Sequence, residues 1–291
     1  MATDQWAQWL LTRRDGDSAD LRARYAPDLA WFRDGVLDRA GLGPDDVLLD
    51  VGCGTGLIGF GALDRLGPDG RVIFSDVSQD LLDHCRRTAD GDERCSFVQA
   101  AAEDLAGIAD ASVDVVTTRS ALMYSDRKFA AFAAFFRVLK PGGRLSIFEP
   151  INRFTHEYCP DDLFGLRGGS PVDDLLARVR DVYRGPTEAA ERPMVDFDER
   201  NLLAWAVDAG FEAVELDYRA QVDVPAEPLD DWEVLKRVAP NPLVPTYGEA
   251  IAAALTEEER GRLDAYMTAL VAAGTPTRRT MAVAFLRALR P

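Results

Sequence analysis

Histidine is almost missing from this chain and cysteine is sparse, at two and four residues among 291. The histidines, His84 and His156, are far from an H-x-x-x-H spacing, which argues against a structural zinc site, and no metal ligand set is expected. Cys53, Cys85, Cys95 and Cys159 make no C-x-x-C pair and no secreted-protein pattern, so they read as reduced thiols. Long apolar runs are lacking too. No stretch approaches the ~18 residues of a membrane span, and residues 1–6 have neither the basic start nor the apolar stretch of a secretory signal. A cytoplasmic protein without membrane association is the expectation. Positive charge is in deficit, with 33 Lys and Arg against 49 Asp and Glu for a net charge of −16. Such a field repels a nucleic-acid backbone over most of the surface, so no nucleic-acid partner is expected.

A globular composition remains, 47% hydrophobic and 28% charged. Its length suits one large or two ordinary domains with a substantial core. Strand and helix signals alternate: strands near 46–52, 71–76, 96–99, 113–118 and 144–149, helices at 57–66, from Ser78, and at 129–139, with Lys140-Pro-Gly-Gly143 closing the last helix. That alternation predicts a parallel sheet covered on both faces. Beyond residue 150 the pattern changes. Val172, Leu175, Leu176, Val179 and Val182 have helical spacing, another helix is expected at 199–209, and residues 211–224 alternate as a long strand. Residues 225–278 are proline-punctuated and helical before a last strand at 280–289.

The most informative segment is Val47-Leu-Leu-Asp-Val-Gly-Cys-Gly-Thr-Gly56, a buried strand ending in a carboxylate and turning through three glycines into a helix. Gly52, Gly54 and Gly56 allow a sharp turn and a close ligand approach. Gly54-Thr-Gly-Leu-Ile-Gly59 also spells G-x-G-x-x-G, with Asp76 further on, as in dinucleotide sites. A diphosphate at a helix N-terminus wants amides and positive potential. Asp50 opposes that and suits a ligand bearing a cation.

With those residues the segment resembles motif I of the class I S-adenosylmethionine-dependent methyltransferases, in the small-molecule group that includes the ubiquinone/menaquinone-type and arsenite-type enzymes. The resemblance runs over roughly 40–150. Gln99-Ala-Ala-Ala-Glu-Asp-Leu105 is similar to the family's G-D-A-E-D-L segment, with Ala101 where the adenine-contacting Asp stands. Thr117 to Tyr124 matches the stretch bordering the methionine end, and Leu139 to Leu145 the helix-to-strand turn. The resemblance implies an α/β fold: a Rossmann-like, seven-stranded, mostly parallel sheet with helices on both faces and a helical cap. It implies N-terminal helices at 1–40 joining the cap, a cofactor-binding core at 41–150, and at 151–291 the last strands with cap insertions at about 151–196 and 225–278. A homodimer interface or mere bulk is the lesser alternative for the same insertions, and a cap and an interface are compatible.

The implied cofactor is S-adenosylmethionine, held by Asp50, Gly52, Gly54 and Gly56 at the corner. Asp76 and Val77 would lie at the ribose, Ala102 and Glu103 at the adenine, and Arg119 and Ser120 at the methionine end. The implied reaction is in-line displacement of the sulfonium methyl by an O, N, C or S nucleophile of a small organic acceptor. A protein of this fold that binds the cofactor without transferring methyl is the alternative, and arsenite methylation a lesser one. His156, beyond the fifth strand, is a candidate base or a surface residue. Arg119 would pair with an acidic substrate group or with Glu149, and Tyr25 would close over the cofactor or simply pack its helix.

Overall fold

In the computed structural model, residues 4–160, 163–166, 168–184 and 193–291 are described. Residues 161, 162, 167 and 185–192 of the expected 151–196 insertion, and residues 1–3, lie outside them. Seven strands, β1 (Val47–Val51), β2 (Arg71–Asp76), β3 (Cys95–Gln99), β4 (Val113–Arg119), β5 (Leu139–Pro150), β6 (Glu212–Pro228) and β7 (Pro276–Leu289), form one sheet in the order β3-β2-β1-β4-β5-β7-β6. The first five are parallel, whereas β7 runs antiparallel to both β5 and β6. This is the expected fold class. In β1, four of five residues are buried, as a parallel strand covered on both faces requires.

Helices α1 (Gln5–Gln8) and α2 (Ala19–Ala40) precede the sheet, with π-helical turns at Trp9–Arg13 between them. One face of the sheet carries α2, α3 (Leu57–Leu63) and α4 (Gln79–Thr88), whose Val36, Leu37, Ile58, Ala62 and Leu82 share a core with Leu48, Val72 and Phe74. The other carries α5 (Lys128–Val138) and, beyond α6 (Asn152–Tyr158) and α7 (Asp173–Arg184), α8 (Glu199–Asp208). Their Phe132, Phe135 and Leu202 pack with Val116, Ile147 and Leu286. A third apolar core is separate: Leu175 and Val179 of α7 meet Trp232 of α9 (Trp232–Lys236), Ile251 of α10 (Tyr247–Ala254), and Leu263 and Met267 of α11 (Glu257–Ala272). These four helices form the cap. Side-chain caps start its later helices: Thr246 with Glu249 and Thr256 with Glu259 are reciprocal capping boxes.

Two boundaries differ from the sequence expectation. β5 begins at Leu139: Leu139 pairs with Val113 and Arg144 with Val115, so Lys140 to Gly143 bulge out within the strand, with Gly142 at φ +79°. The β6–β7 arms reach Pro228 and Pro276, leaving 229–275 rather than 225–278 as the helical insertion. Pro225 and Pro228 did not stop β6 because it is the edge strand, where a missing N–H breaks no ladder.

α3 lies so close to the sheet that a Cβ on Gly59 would stand 2.8 Å from Phe74 Cζ. Gly59→Ala is therefore expected to destabilise the fold by about 1–3 kcal/mol through overpacking, despite alanine's better helix propensity. Thermal unfolding checks this, and a variant as stable as the parent would contradict the close approach.

Candidate active site

At the carboxyl ends of β1, β2 and β4 lies a cavity of about 430 Å³, at the kind of edge where open α/β sheets bind ligands. Its floor is the glycine corner. Gly52, Gly54 and Gly56 all have positive φ, +65°, +55° and +83°, which side-chain-bearing residues rarely adopt. A Cβ on Gly52 would fall 2.5 Å from the Ala121 Cβ.

Two carboxylates hold the corner from below. Asp50, 1% exposed, accepts from the Gly59 amide at 2.9 Å and from the Thr117 hydroxyl at 3.3 Å, so it ties β1 across the turn to α3 and sideways to β4. Burial pushes its pKa up to about 7, against the lowering effect of those two hydrogen bonds. Asp76, at the end of β2, accepts from the Gly54 amide at 2.9 Å and from the Ser78 amide at 2.9 Å; burial raises its pKa as well. Asp50 thus borders the cavity with its oxygens already engaged inside the turn, a position more internal than a free ligand-facing carboxylate.

The wall on the β4 side is equally organised. Glu149, at the end of β5, is fully buried and receives the amides of Ala121, Leu122 and Met123 at 3.0, 2.9 and 3.3 Å. Burial nevertheless raises its pKa to about 7. The alternative of an ion pair between Arg119 and Glu149 or a nearby Asp is not realised: Arg119 has no carboxylate oxygen within 4.0 Å among the described residues. Its guanidinium lies 5.9 Å from the Phe32 ring centre and borders the cavity. Burial, reinforced by the charge of Arg14, lowers its pKa to about 10.

The roof comes from the N-terminal segment. Trp6, Trp9, Leu10, Arg14 and Leu29 line the cavity, with Trp6 edge-on to Tyr124 at 5.0 Å. This segment is fastened at both ends. Asp4 accepts from the Ser78 hydroxyl at 2.6 Å and donates its own amide to Asp80 at 2.8 Å. Trp9 Nε1 donates to the Ala239 carbonyl at 2.9 Å, the Ala239 amide donates to the Arg13 carbonyl at 2.7 Å, and Arg13 pairs with Glu249 at 2.5 Å. Pro240 brings the cap insertion to the rim.

Asp50, Gly52, Gly54, Asp76, Val77, Ala102, Glu103, Arg119 and Ser120, all singled out in the sequence, line this one cavity, and Gly56 caps the α3 N-terminus beside it. Glu103 is partly committed, since it accepts from the Ser125 hydroxyl. Two candidates are not brought together with them. His156 is exposed on α6, and Tyr25 is 37% exposed on α2; neither lines the cavity. Arg14 was missed, and Glu149 was read as an ion-pair partner rather than as an acceptor of backbone amides. Arg14 sits in a polar stretch without periodicity, so no local pattern marks it.

The family described as "Methyltransferase domain" matches residues 48–143. The ubiquinone/menaquinone biosynthesis C-methyltransferase UbiE of Ectopseudomonas mendocina is 32% identical over 188 residues, covering 62% of this chain and 70% of that protein. An arsenite methyltransferase of Halobacterium salinarum is 31% identical over 201 residues, and the chain spans 44% of its length. Among solved structures, a chain of the complex between the Haloferax volcanii Trm112 methyltransferase activator and a methyltransferase aligns over the full length of both chains, with a TM-score of 0.56 and 19% identity. At that identity the likeness shows the fold alone.

A carboxyl whose pKa is raised from 3.8 to about 7 binds more protons folded than unfolded, so its contribution to stability is lost progressively as pH rises from about 4 to 7. Asp50→Asn removes this loss and still offers an oxygen to Gly59 and an amide to Thr117. Relative to the parent, the variant should gain stability across that window. Melting temperatures measured from pH 4 to 8 test this, and a parallel pair of curves would contradict the raised pKa.

Proposed function

Because the chain belongs to the class I S-adenosylmethionine-dependent methyltransferases, we propose that it moves the methyl group to a small organic acceptor enclosed between the glycine corner and the N-terminal roof. The observation that carries this is the continuity of one cavity from the corner glycines and Asp76 to the indoles of Trp6 and Trp9. The residues fit the cofactor: Gly52 and Gly54 line the cavity in backbone conformations that side chains rarely adopt, with Ala121 and Leu10 standing where their Cβ atoms would be. Asp76 offers the paired acceptors suited to ribose hydroxyls.

S-adenosylmethionine supplies, when bound, an activated methyl on a sulfonium that leaves without needing a proton. The chain's part is then to align the nucleophile within ~3–3.5 Å and exclude water. Trp6, Trp9, Leu10 and Met123 give the acceptor an apolar enclosure, and Tyr124, whose burial raises its pKa, stays a neutral phenol at physiological pH. With both histidines outside the lining, the proposed reaction relies on positioning rather than imidazole base catalysis, and His156 and Tyr25, neither of which lines the cavity, are given no part in it.

An arsenite acceptor is disfavoured by where the thiols lie. Cys53 and Cys85 meet beneath the Gly54 carbonyl, at 3.9 and 3.3 Å, while Cys95 is on β3 and Cys159 follows α6. Among the described residues, no three His, Cys, Asp or Glu side chains converge as ion ligands.

Asp76→Ala should weaken S-adenosylhomocysteine binding by about 2 kcal/mol, the loss of charge-assisted hydrogen bonds. Unchanged affinity by titration calorimetry would contradict the ribose assignment. Incubating the protein with tritiated S-adenosylmethionine and a metabolite extract should yield a labelled small product. Tight cofactor binding without labelled product would contradict methyl transfer.

A further inference from the structure

Acidic side chains outnumber basic ones in this chain, and many of its arginines are paired: Arg13 with Glu249, Arg22 with Asp15, Arg24 with Asp230, Arg39 with Asp217, Arg65 with Asp38. Others, such as Arg71, Arg87 and Arg279, have no carboxylate partner among the described residues but are exposed on the surface, whereas Arg14 and Arg119 are only partly exposed. Both line the cavity, and neither guanidinium has a carboxylate oxygen within 4.0 Å among the described residues. The nearby carboxylates are spoken for: Asp15 by Arg22 and the Asp17 amide, Asp50 by Gly59 and Thr117, Glu149 by three amides. Each cation is partly buried and faces the cavity without a matched anion, so an anionic ligand group is what would complete it.

S-adenosylmethionine carries a single carboxylate, and the cavity presents two guanidiniums. We infer that the methyl acceptor is an organic anion, whose carboxylate or phosphate is held by whichever of Arg14 and Arg119 the cofactor leaves unmatched. This rests on the methyltransferase reading of the cavity. The apolar lining supplied by Trp6, Trp9, Leu10 and Leu29 then receives the acceptor's body, while the guanidinium fork fixes its orientation. Anchoring the acceptor at one charged end restricts which of its atoms can face the methyl, which is how a site without a dedicated base gains positional selectivity.

The test is titration of the full-length protein, saturated with S-adenosylhomocysteine, with acetate and separately with inorganic phosphate at constant ionic strength. Saturable one-to-one binding of at least one anion is expected, and the tighter of the two distinguishes a carboxylate from a phosphate acceptor. Of Arg14→Gln and Arg119→Gln, one should weaken that anion by at least about tenfold, as loss of a charged hydrogen bond does, with S-adenosylhomocysteine affinity unchanged. The other should do the reverse. Absence of saturable anion binding, or loss of both ligands together in each variant, would overturn the inference, since both guanidiniums would then clamp one carboxylate. In the tritium assay the labelled product should be retained by an anion exchanger at neutral pH. Label in a neutral or cationic product overturns the anion assignment but leaves methyl transfer standing, whereas failure of S-adenosylhomocysteine to bind the parent protein overturns the cofactor reading.

Discussion

Two buried carboxylates on backbone amides are what the site depends on. Asp50 reaches from the end of β1 to the Gly59 amide, and Asp76 from the end of β2 to the Gly54 amide. Between them they fix the turn that separates strand from helix. Burying a carboxylate is costly, and a charged hydrogen bond to an amide offsets only part of that cost. Their raised pKa values record the remainder. A ligand bearing positive charge relieves this strain, whereas a diphosphate worsens it. The corner is therefore stabilised by its hydrogen bonds yet electrostatically incomplete, as suits a cofactor carrying a sulfonium and an ammonium.

Above that corner the geometry is one of enclosure. The N-terminal segment crosses the cavity between α4 and the insertion that follows β6, held at Ser78 and Asp80 on one side and at Ala239 and Glu249 on the other. The second fastening depends on the cap having its own apolar core, because Trp232, Leu235 and Ile251 fix the backbone to which Trp9 and Arg13 attach. Packing far from the chemistry thus sets the height of the roof. Arg14 is delivered to the cavity by the same fastening that pairs its neighbour Arg13 with Glu249.

Much of the core was legible in the sequence because local and global signals agree there. The Val47–Val51 run is apolar except for Asp50 because both sheet faces are covered, and the three glycines that follow it mark a turn that other residues would strain. That the residues singled out in the sequence line one cavity was readable for the same reason: chain order places many of them at the ends of parallel strands. What escaped was non-local. β6 runs on through Pro225 and Pro228 because it is the edge strand, where those prolines are harmless, and edge position is not a local property; Pro276 is the first residue of β7. Glu149 reads as an ion-pair partner for Arg119 until three amides of the segment after β4 are seen to claim it. His156 reads as a loop base until α6 turns it outward. Whether a charged side chain faces a cavity or its own neighbours is decided by tertiary packing, and Arg14 shows this most plainly.

Equilibrium competition of NADH against labelled S-adenosylhomocysteine tests the electrostatic account of the corner most directly. The account predicts that S-adenosylhomocysteine stays bound at NADH concentrations far above its own dissociation constant, in the parent protein. Displacement by NADH at comparable concentration would mean that the buried carboxylates do not select against a diphosphate, and would contradict it.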